Sequence, residues 1–127
     1  MKFDCKKIFI THNDRQPNVF LQETKASWED DMNFYDYQKA IGKYVILQIR
    51  PDSENENISH PYIETSDASL RDFLVKFHIR LSKSYLLIMT PKAEIEVKLN
   101  LRKKKYNKLK ETLLIIFKNH GELSIRD

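Results

Sequence analysis

The segment Ala93–Leu99 alternates apolar and charged residues without interruption. A period of two places all of its apolar side chains on one face of an extended chain, so the segment is predicted to be a half-buried β-strand. Two other segments, Tyr44–Arg50 and Tyr85–Met89, are short, apolar and rich in β-forming residues. None is long enough to span a bilayer, which takes about 20 apolar residues. These features predict a sheet-containing domain with no membrane partner.

The size and the cysteine content limit the class of protein. The chain has 127 residues, of which 41% are hydrophobic, and this suits one domain with its own core. Residues 1–127 are therefore expected to form a single α+β domain. Cys5 is the only cysteine, so no internal disulfide can form and a reducing compartment is expected. The N-terminus lacks the apolar core of a signal peptide, and a cytoplasmic location follows as the prediction.

The first half of the chain predicts three strands and a helix. Cys5–Thr11 and Asn18–Thr24 have strand composition, and Tyr44–Arg50 provides a third strand. Between the last two, Ser27 is a suitable N-cap for a helix, because acidic residues follow it in the first turn. This helix is predicted to run to Ile41 and to stop at Gly42.

The second half predicts two more helices. Pro61–Thr65 is expected to be a short strand, and a helix is expected to begin near Ser66 or Asp67. Its apolar residues recur at helical spacing: Leu70, Phe73, Leu74, Phe77 and Leu81. A last helix is predicted from about Asn100 to Asn119, with Gly121 as its stop.

The resulting order is β-β-α-β-β-α-β-β-α, which predicts an α+β fold with helices on one face of a largely antiparallel sheet. The segment Asn18–Met89 has the β-α-β-β-α-β order of a ferredoxin-like core. An added N-terminal strand and a C-terminal strand and helix would complete the chain.

No local pattern predicts a catalytic, metal or cofactor site. Only two glycines occur, so a glycine-rich phosphate-binding loop is excluded. The four histidines are widely separated and form no metal-binding motif. Asp52, Glu96 and Lys98 resemble a metal-dependent nuclease pattern only if a helix is allowed to intervene, and alternation explains Glu96 and Lys98 as the solvated face of a strand. A non-enzyme is therefore predicted, and the alternative is an enzyme built from scattered residues.

The first predicted helix carries two apolar faces. One is formed by Phe34, Tyr37 and Ile41, and the other by Trp28, Met32 and Tyr35. The second face is bordered by Asp31 and Asp36, so it combines residue types that are enriched in protein interfaces with an acidic rim. The predicted protein-binding residues are Trp28, Asp31, Met32, Tyr35 and Asp36. Coverage of Trp28 by a neighbouring segment is the alternative.

The chain is acidic in its first part and basic in its second. Residues 1–72 contain 9 Lys/Arg and 13 Asp/Glu, a net charge of −4, whereas residues 73–127 contain 13 and 5, a net charge of +8. Seven positive residues and no acid lie between Lys98 and Lys110. Cations in the first turn of a helix oppose the helix dipole unless a polyanion binds there. The predicted nucleic-acid-binding residues are Arg102, Lys103, Lys104, Lys105 and Lys108, with a solvated lysine-rich face as the alternative.

Leu113–Phe117 is apolar on every side of the last predicted helix. It must either be wedged into the fold or form an interface, for example in a homodimer. The leading functional prediction is a small non-enzymatic protein-binding module, an inhibitor or immunity protein that occludes a partner such as a basic toxin or nuclease. Nucleic-acid binding through the basic helix start is the alternative function.

Overall fold

The computed structural model of the chain describes residues 1–13, 15–52, 54–118 and 120–126. Within these ranges it contains two α-helices, α1 (Phe34–Ile41) and α2 (Lys103–Ile116), and a 3₁₀ turn at Ala68–Leu70. The strands in chain order are β1 (Lys2–Asp4), β2 (Lys7–Thr11), β3 (Asn18–Gln22), β4 (Tyr44–Pro51), β5 (Ser59–Thr65), β6 (Asp72–Phe73), β7 (His78–Ser82), β8 (Tyr85–Met89), β9 (Glu94–Lys98) and β10 (Glu122–Arg126).

The strands form two five-stranded sheets. The antiparallel sheet has the order β2-β3-β4-β5-β6, and all its neighbouring strands run antiparallel. The mixed sheet has the order β1-β9-β8-β7-β10, in which the edge strands β1 and β10 run parallel to β9 and β7. The chain passes from one sheet to the other at Cys5 and Lys6: the Cys5 N–H donates to the Lys98 carbonyl in β9, and the Lys6 N–H donates to the Gln22 carbonyl in β3.

The core lies between the two sheets because the inner strands β3, β5, β7, β8 and β9 bury alternate residues. In β9, Ile95 and Val97 are buried while Glu94 and Lys98 are exposed, which confirms the alternation predicted for this segment. The inward residues of both sheets belong to one hydrophobic cluster, which also includes residues of α2.

Helix α2 completes this core. Tyr106, Leu109, Leu113 and Ile116 follow one another at helical spacing and are all buried. They pack against the antiparallel sheet near β2, β3 and β4. The helix is shorter than predicted: it ends at Ile116, and Asn119 lies outside the described residues.

Helix α1 begins seven residues later than Ser27, so the predicted start was wrong. Its N-cap is Asn33, whose side-chain oxygen accepts a hydrogen bond from the Asp36 N–H at 2.8 Å. Ser27 instead accepts a hydrogen bond from the Lys7 ammonium of β2. The buried Gln22 amide donates to two carbonyls just before Ser27 and fixes a non-helical path there. The predicted stop at Gly42 is confirmed, with a φ of +71°.

The helix predicted from Ser66 or Asp67 onwards was also wrong. Asp67 does act as an N-cap, but only for the 3₁₀ turn, and the chain continues as β6 and β7. Phe77, Ile79 and Leu81 are buried at a period of two, and β7 pairs with β8 across a short turn. The apolar residues from which the helix was predicted did not include Ile79, which is buried. The pairing of β7 with β8 in a hairpin therefore determines the structure here, and the helical spacing does not.

The α+β class and the largely antiparallel pairing are confirmed, since six of the eight strand pairings between described residues are antiparallel. The ferredoxin-like order is not confirmed, because the segment between β5 and β8 contains no α-helix and the strands divide into two sheets. Strands β1, β6, β7 and β10 were not predicted.

Candidate binding surfaces

Three large aromatic side chains are exposed within a short segment at the start of α1. The exposed fractions are 52% for Trp28, 65% for Phe34 and 63% for Tyr35. The acids Asp31 and Asp36 are also exposed, and Met32 is half-buried. Residues 28–36 contain four acids and no basic residue. We call this segment, residues 28–36, the acidic-aromatic surface.

The aromatic side chains are arranged differently from the predicted helical stripe. Because the chain is not helical before Phe34, Trp28 does not share a helix face with Tyr35. The Trp28 ring packs edge-on against Tyr37, with 5.2 Å between centroids. Tyr35 lies on the other side of α1, where the Lys39 ammonium is 4.4 Å from its ring centroid.

Phe34 belongs to the other predicted apolar face, and the sequence left open which of the two faces is buried; Phe34 is the most exposed of these aromatics. It occupies the first position of α1, one turn before Tyr37, against which the Trp28 ring packs. The sequence signal that could have identified it is Asn33, because an N-cap there makes Phe34 the first residue of the helix.

A second surface lies at the start of α2. All five residues of the predicted nucleic-acid-binding set are exposed: Arg102, Lys103, Lys104, Lys105 and Lys108. Arg102 occupies the N-cap position without a side-chain capping hydrogen bond, and the first turn contains no acid. The positive end of the helix dipole therefore carries additional positive charge.

This basic surface includes a concave pocket of about 400 Å³, which we call the lysine pocket. Its ammonium groups come from two elements, since Lys83 lies in the turn between β7 and β8 while Lys103 and Lys110 lie on α2. The Lys110 ammonium is 6.0 Å from the ring centroid of the buried Tyr106. Sequence reasoning missed Lys83, because no local pattern reveals that this turn lies beside α2.

The apolar end of α2 is mostly part of the core. Leu113, Ile116 and Phe117 are buried and Ile115 is half-buried. Leu114 is 49% exposed. The segment is thus mostly wedged into the fold, with Leu114 exposed, and the homodimer contact stays a prediction.

The histidines lie near carboxylates without forming a metal centre in the described ranges. Three of them each have one acidic neighbour: His12 with Glu111, His60 with Asp52 and His78 with Glu122. His60 also lies beside His120, with 6.0 Å between ring centroids. Among described residues, no group of three or more His, Cys, Asp or Glu side chains could hold a metal ion.

The nuclease-like residues are not brought together. Asp52 follows β4 in the antiparallel sheet, whereas Glu96 and Lys98 lie in β9 of the mixed sheet. Glu96 forms an ion pair with Lys2 at 3.1 Å. The Asp52 carboxylate accepts a hydrogen bond from the Glu54 N–H at 2.8 Å, and this bond is the largest of the effects that lower its pKa.

Neither helix has the length and apolar composition that a membrane-spanning helix requires, and no other α-helix occurs in the described part of the chain. No protein-family model matches the chain, and no curated protein or solved structure is significantly similar to it.

Proposed function

We propose that this chain is a protein-binding module of the inhibitor or immunity type, which acts in the cytoplasm by occluding a basic macromolecular partner. The observation that carries the proposal is the exposure of Trp28, Phe34 and Tyr35 together in a segment rich in acids. The chain has a single cysteine, which is consistent with the reducing environment of the cytoplasm.

Exposed tryptophan and tyrosine are the side chains that most often anchor protein interfaces. A free surface gains nothing by holding three large aromatics in water, whereas a partner that covers them gains about 25 cal/mol for each Å² of apolar area buried. The two ring contacts, Trp28 with Tyr37 and Lys39 with Tyr35, restrict the rings before binding. Less side-chain entropy is then lost when a partner binds.

The charge of the surface indicates the chemistry of the partner. Glu29, Asp30, Asp31 and Asp36 are all exposed and lie in the same segment as the exposed aromatic residues. Carboxylates in this density present negative charge as a phosphate backbone does, so they suit a protein that itself binds nucleic acid. A basic toxin or nuclease is the expected partner class.

The test compares three immobilised proteins as baits for the same cytoplasmic extract. These are the wild type, a Trp28→Ala/Tyr35→Ala variant, and a control in which Phe9, an aromatic exposed elsewhere, is changed to alanine. A partner bound by the wild type and by Phe9→Ala, but not by the double variant, would be purified for titration calorimetry. Each alanine at the surface should then weaken binding by about 2 kcal/mol.

The inhibitor role is tested on the purified partner. Addition of the wild-type chain should suppress the partner's action on nucleic acid, and the double variant should not. A partner that binds both baits equally, or that remains fully active in the complex, would contradict the proposed function.

The lysine pocket favours a second candidate function, nucleic-acid binding. Lysine residues of α2 and of the β7–β8 turn line one concavity there, which suits contact with a phosphate group. The test is fluorescence anisotropy of labelled single- and double-stranded DNA and RNA across a salt series. Binding should weaken steeply with salt, and it should be lost in Lys103→Glu/Lys104→Glu/Lys105→Glu.

A matched control carries the same change of net charge at other exposed lysines: Lys6→Glu, Lys25→Glu and Lys118→Glu. It should retain binding if α2 is the contact surface. If both triple variants lose binding equally, the loss is caused by the change of net charge. This result would contradict a binding site on α2.

A further inference from the structure

An apolar cleft is lined by residues of both sheets. It has a volume of about 300 Å³ and lies between the segment from the 3₁₀ turn to Lys76 and the turn that joins β8 and β9. Ile63 from the antiparallel sheet and Ile95 from the mixed sheet both line it.

The floor of the cleft is the hydrophobic core itself. Ile63, Leu74 and Ile95 line it, and they are only 5%, 7% and 1% exposed. At the mouth, Val75 is 81% exposed and Leu70 is half-buried. The cleft thus leads from solvent to core side chains of both sheets, and its size is at the lower end of the range for small-molecule sites, about 300–1,000 Å³.

The mouth of the cleft carries cationic side chains. Lys76 and Lys92 both line it and are exposed, and Lys76 forms no ion pair with any described residue. Lys92 is 3.4 Å from the Asp72 carboxylate across the mouth, in an exposed pair that an incoming anion can displace at little cost. The Arg71 guanidinium is directed elsewhere, since it donates to the Thr65 carbonyl and the Tyr44 hydroxyl.

We propose that this cleft binds a small amphipathic carboxylate, such as a medium-chain fatty acid. The apolar chain lies on Ile63, Leu74 and Ile95, and the carboxylate meets the ammonium groups of Lys76 and Lys92 at the mouth. The apolar floor accounts for affinity through the hydrophobic effect, and the mouth accounts for the preference for a negative head group. A peptide strand is a poorer fit, because the adjoining edge strand β6 has only two residues.

The test is a titration of the isotope-labelled chain with decanoate, below its micelle concentration, followed by amide chemical shifts. Saturable shifts are expected at the cleft residues Ile63, Leu74 and Ile95. Decanol, which has the same chain with a neutral head, and decyltrimethylammonium, which has a positive head, serve as matched ligands. The carboxylate should bind about two- to fivefold more tightly than decanol, as expected for one exposed charge contact.

Position 75 allows the charge at the mouth to be changed without disturbing the core. Val75→Lys should tighten decanoate binding and Val75→Glu should weaken it, and both effects should reverse for decyltrimethylammonium. Leu70→Trp should fill the cleft and abolish saturable binding, whereas Leu114→Trp, on the exposed side of α2, should not.

Three results would overturn the proposal. The first is the absence of saturable shifts at the cleft residues. The second is binding of decyltrimethylammonium as tight as that of decanoate. The third is unchanged binding in a folded Leu70→Trp variant. Because the spectrum itself reports folding, a variant that unfolds is recognised at once, and the two Val75 variants then decide the outcome.

Discussion

Gly121 precedes β10 with a φ of +60°, and it lies against the ring of Phe77. A Cβ at this position would collide with three ring atoms of Phe77, which is itself part of the core. Gly121→Ala is expected to reduce the free energy of unfolding by about 1–3 kcal/mol, because strain and collision add. Gly42→Ala is the control: it has a similar φ, but its Cβ would meet the Glu23 carboxylate, which can move away.

Urea denaturation of both glycine variants measures the difference. Gly121→Ala should have the lower midpoint. Equal midpoints would contradict the prediction that the collision with Phe77 adds to the backbone strain. The sequence marks both glycines as stops, but the importance of Gly121 depends on a contact with a residue 44 positions earlier, which no local pattern reveals.

A second prediction at the scale of single residues concerns Cys5. Burial raises the pKa of its thiol above the usual value. The unfolded chain therefore ionises Cys5 at a lower pH than the folded chain. The contribution of the neutral Cys5 thiol to the free energy of unfolding is fully present below the pKa of the unfolded chain. It is lost as the pH rises through the pKa of the folded chain.

Urea midpoints of the wild type and of Cys5→Ala, measured at about pH 7 and about pH 10, test this prediction. The wild type should lose more stability than Cys5→Ala between the two values. Tyr44, whose pKa is also raised by burial and by Glu64, is present in both proteins and cancels in the comparison. The same alkaline loss in both proteins would contradict the prediction.

At the scale of secondary structure, the sequence predicts elements well where one local signal acts alone. The strands β4, β8 and β9 follow directly from their apolar patterns. The errors arise where two signals compete. Ser27 and Asn33 are both good N-caps, and Gln22 decides between them from outside the segment. The residues around Phe77 fit both periods, and pairing with β8 decides in favour of a strand.

Helix α2 allows a prediction at the same scale, because its N-cap position is occupied by Arg102 without a capping bond. Arg102→Asp should stabilise the chain by about 1 kcal/mol, since the new carboxylate can cap the first turn and complement the dipole. Lys118→Asp, beyond the other end of the helix, should instead be neutral or destabilising. Thermal unfolding at low salt measures both variants.

The same Arg102→Asp variant separates stability from function. If α2 binds a polyanion, the variant gains stability but loses affinity for nucleic acid in the anisotropy assay. A gain in stability without loss of affinity would identify Arg102 as a solvated residue outside the contact surface. A loss of stability would contradict the capping interpretation.

At the scale of the whole molecule, the charge asymmetry of the sequence is retained by the architecture. The antiparallel sheet is built from residues 7–73, within the acidic part of the chain, apart from Phe73. The mixed sheet takes three central strands from the basic part, which also contains α2. The apolar cleft was nevertheless unpredictable, since it joins segments of both sheets, and the lysine pocket was unpredictable because it depends on where α2 lies relative to the β7–β8 turn.

The closure of the mixed sheet by β10 provides the last prediction. β10 covers the edge of β7 along five residue pairs, and Leu123 and Ile125 pack against the core while Ser124 lies 3.2 Å from His78. Removal of residues 121–127 should cost about 2 kcal/mol or more in apolar burial alone. It should also leave β7 as an unpaired edge that can pair with another chain.

Light scattering as a function of protein concentration distinguishes these two effects. The truncated chain should be destabilised and should also aggregate. The control variant Leu123→Ala/Ile125→Ala keeps the backbone pairing of β10, so it should be destabilised by a comparable amount without the aggregation. If both proteins aggregate equally at matched stability, the aggregation is caused by exposed apolar surface. The prediction that β10 protects the edge of β7 would then be wrong. If only the truncated chain aggregates, the edge strand itself keeps the chain monodisperse.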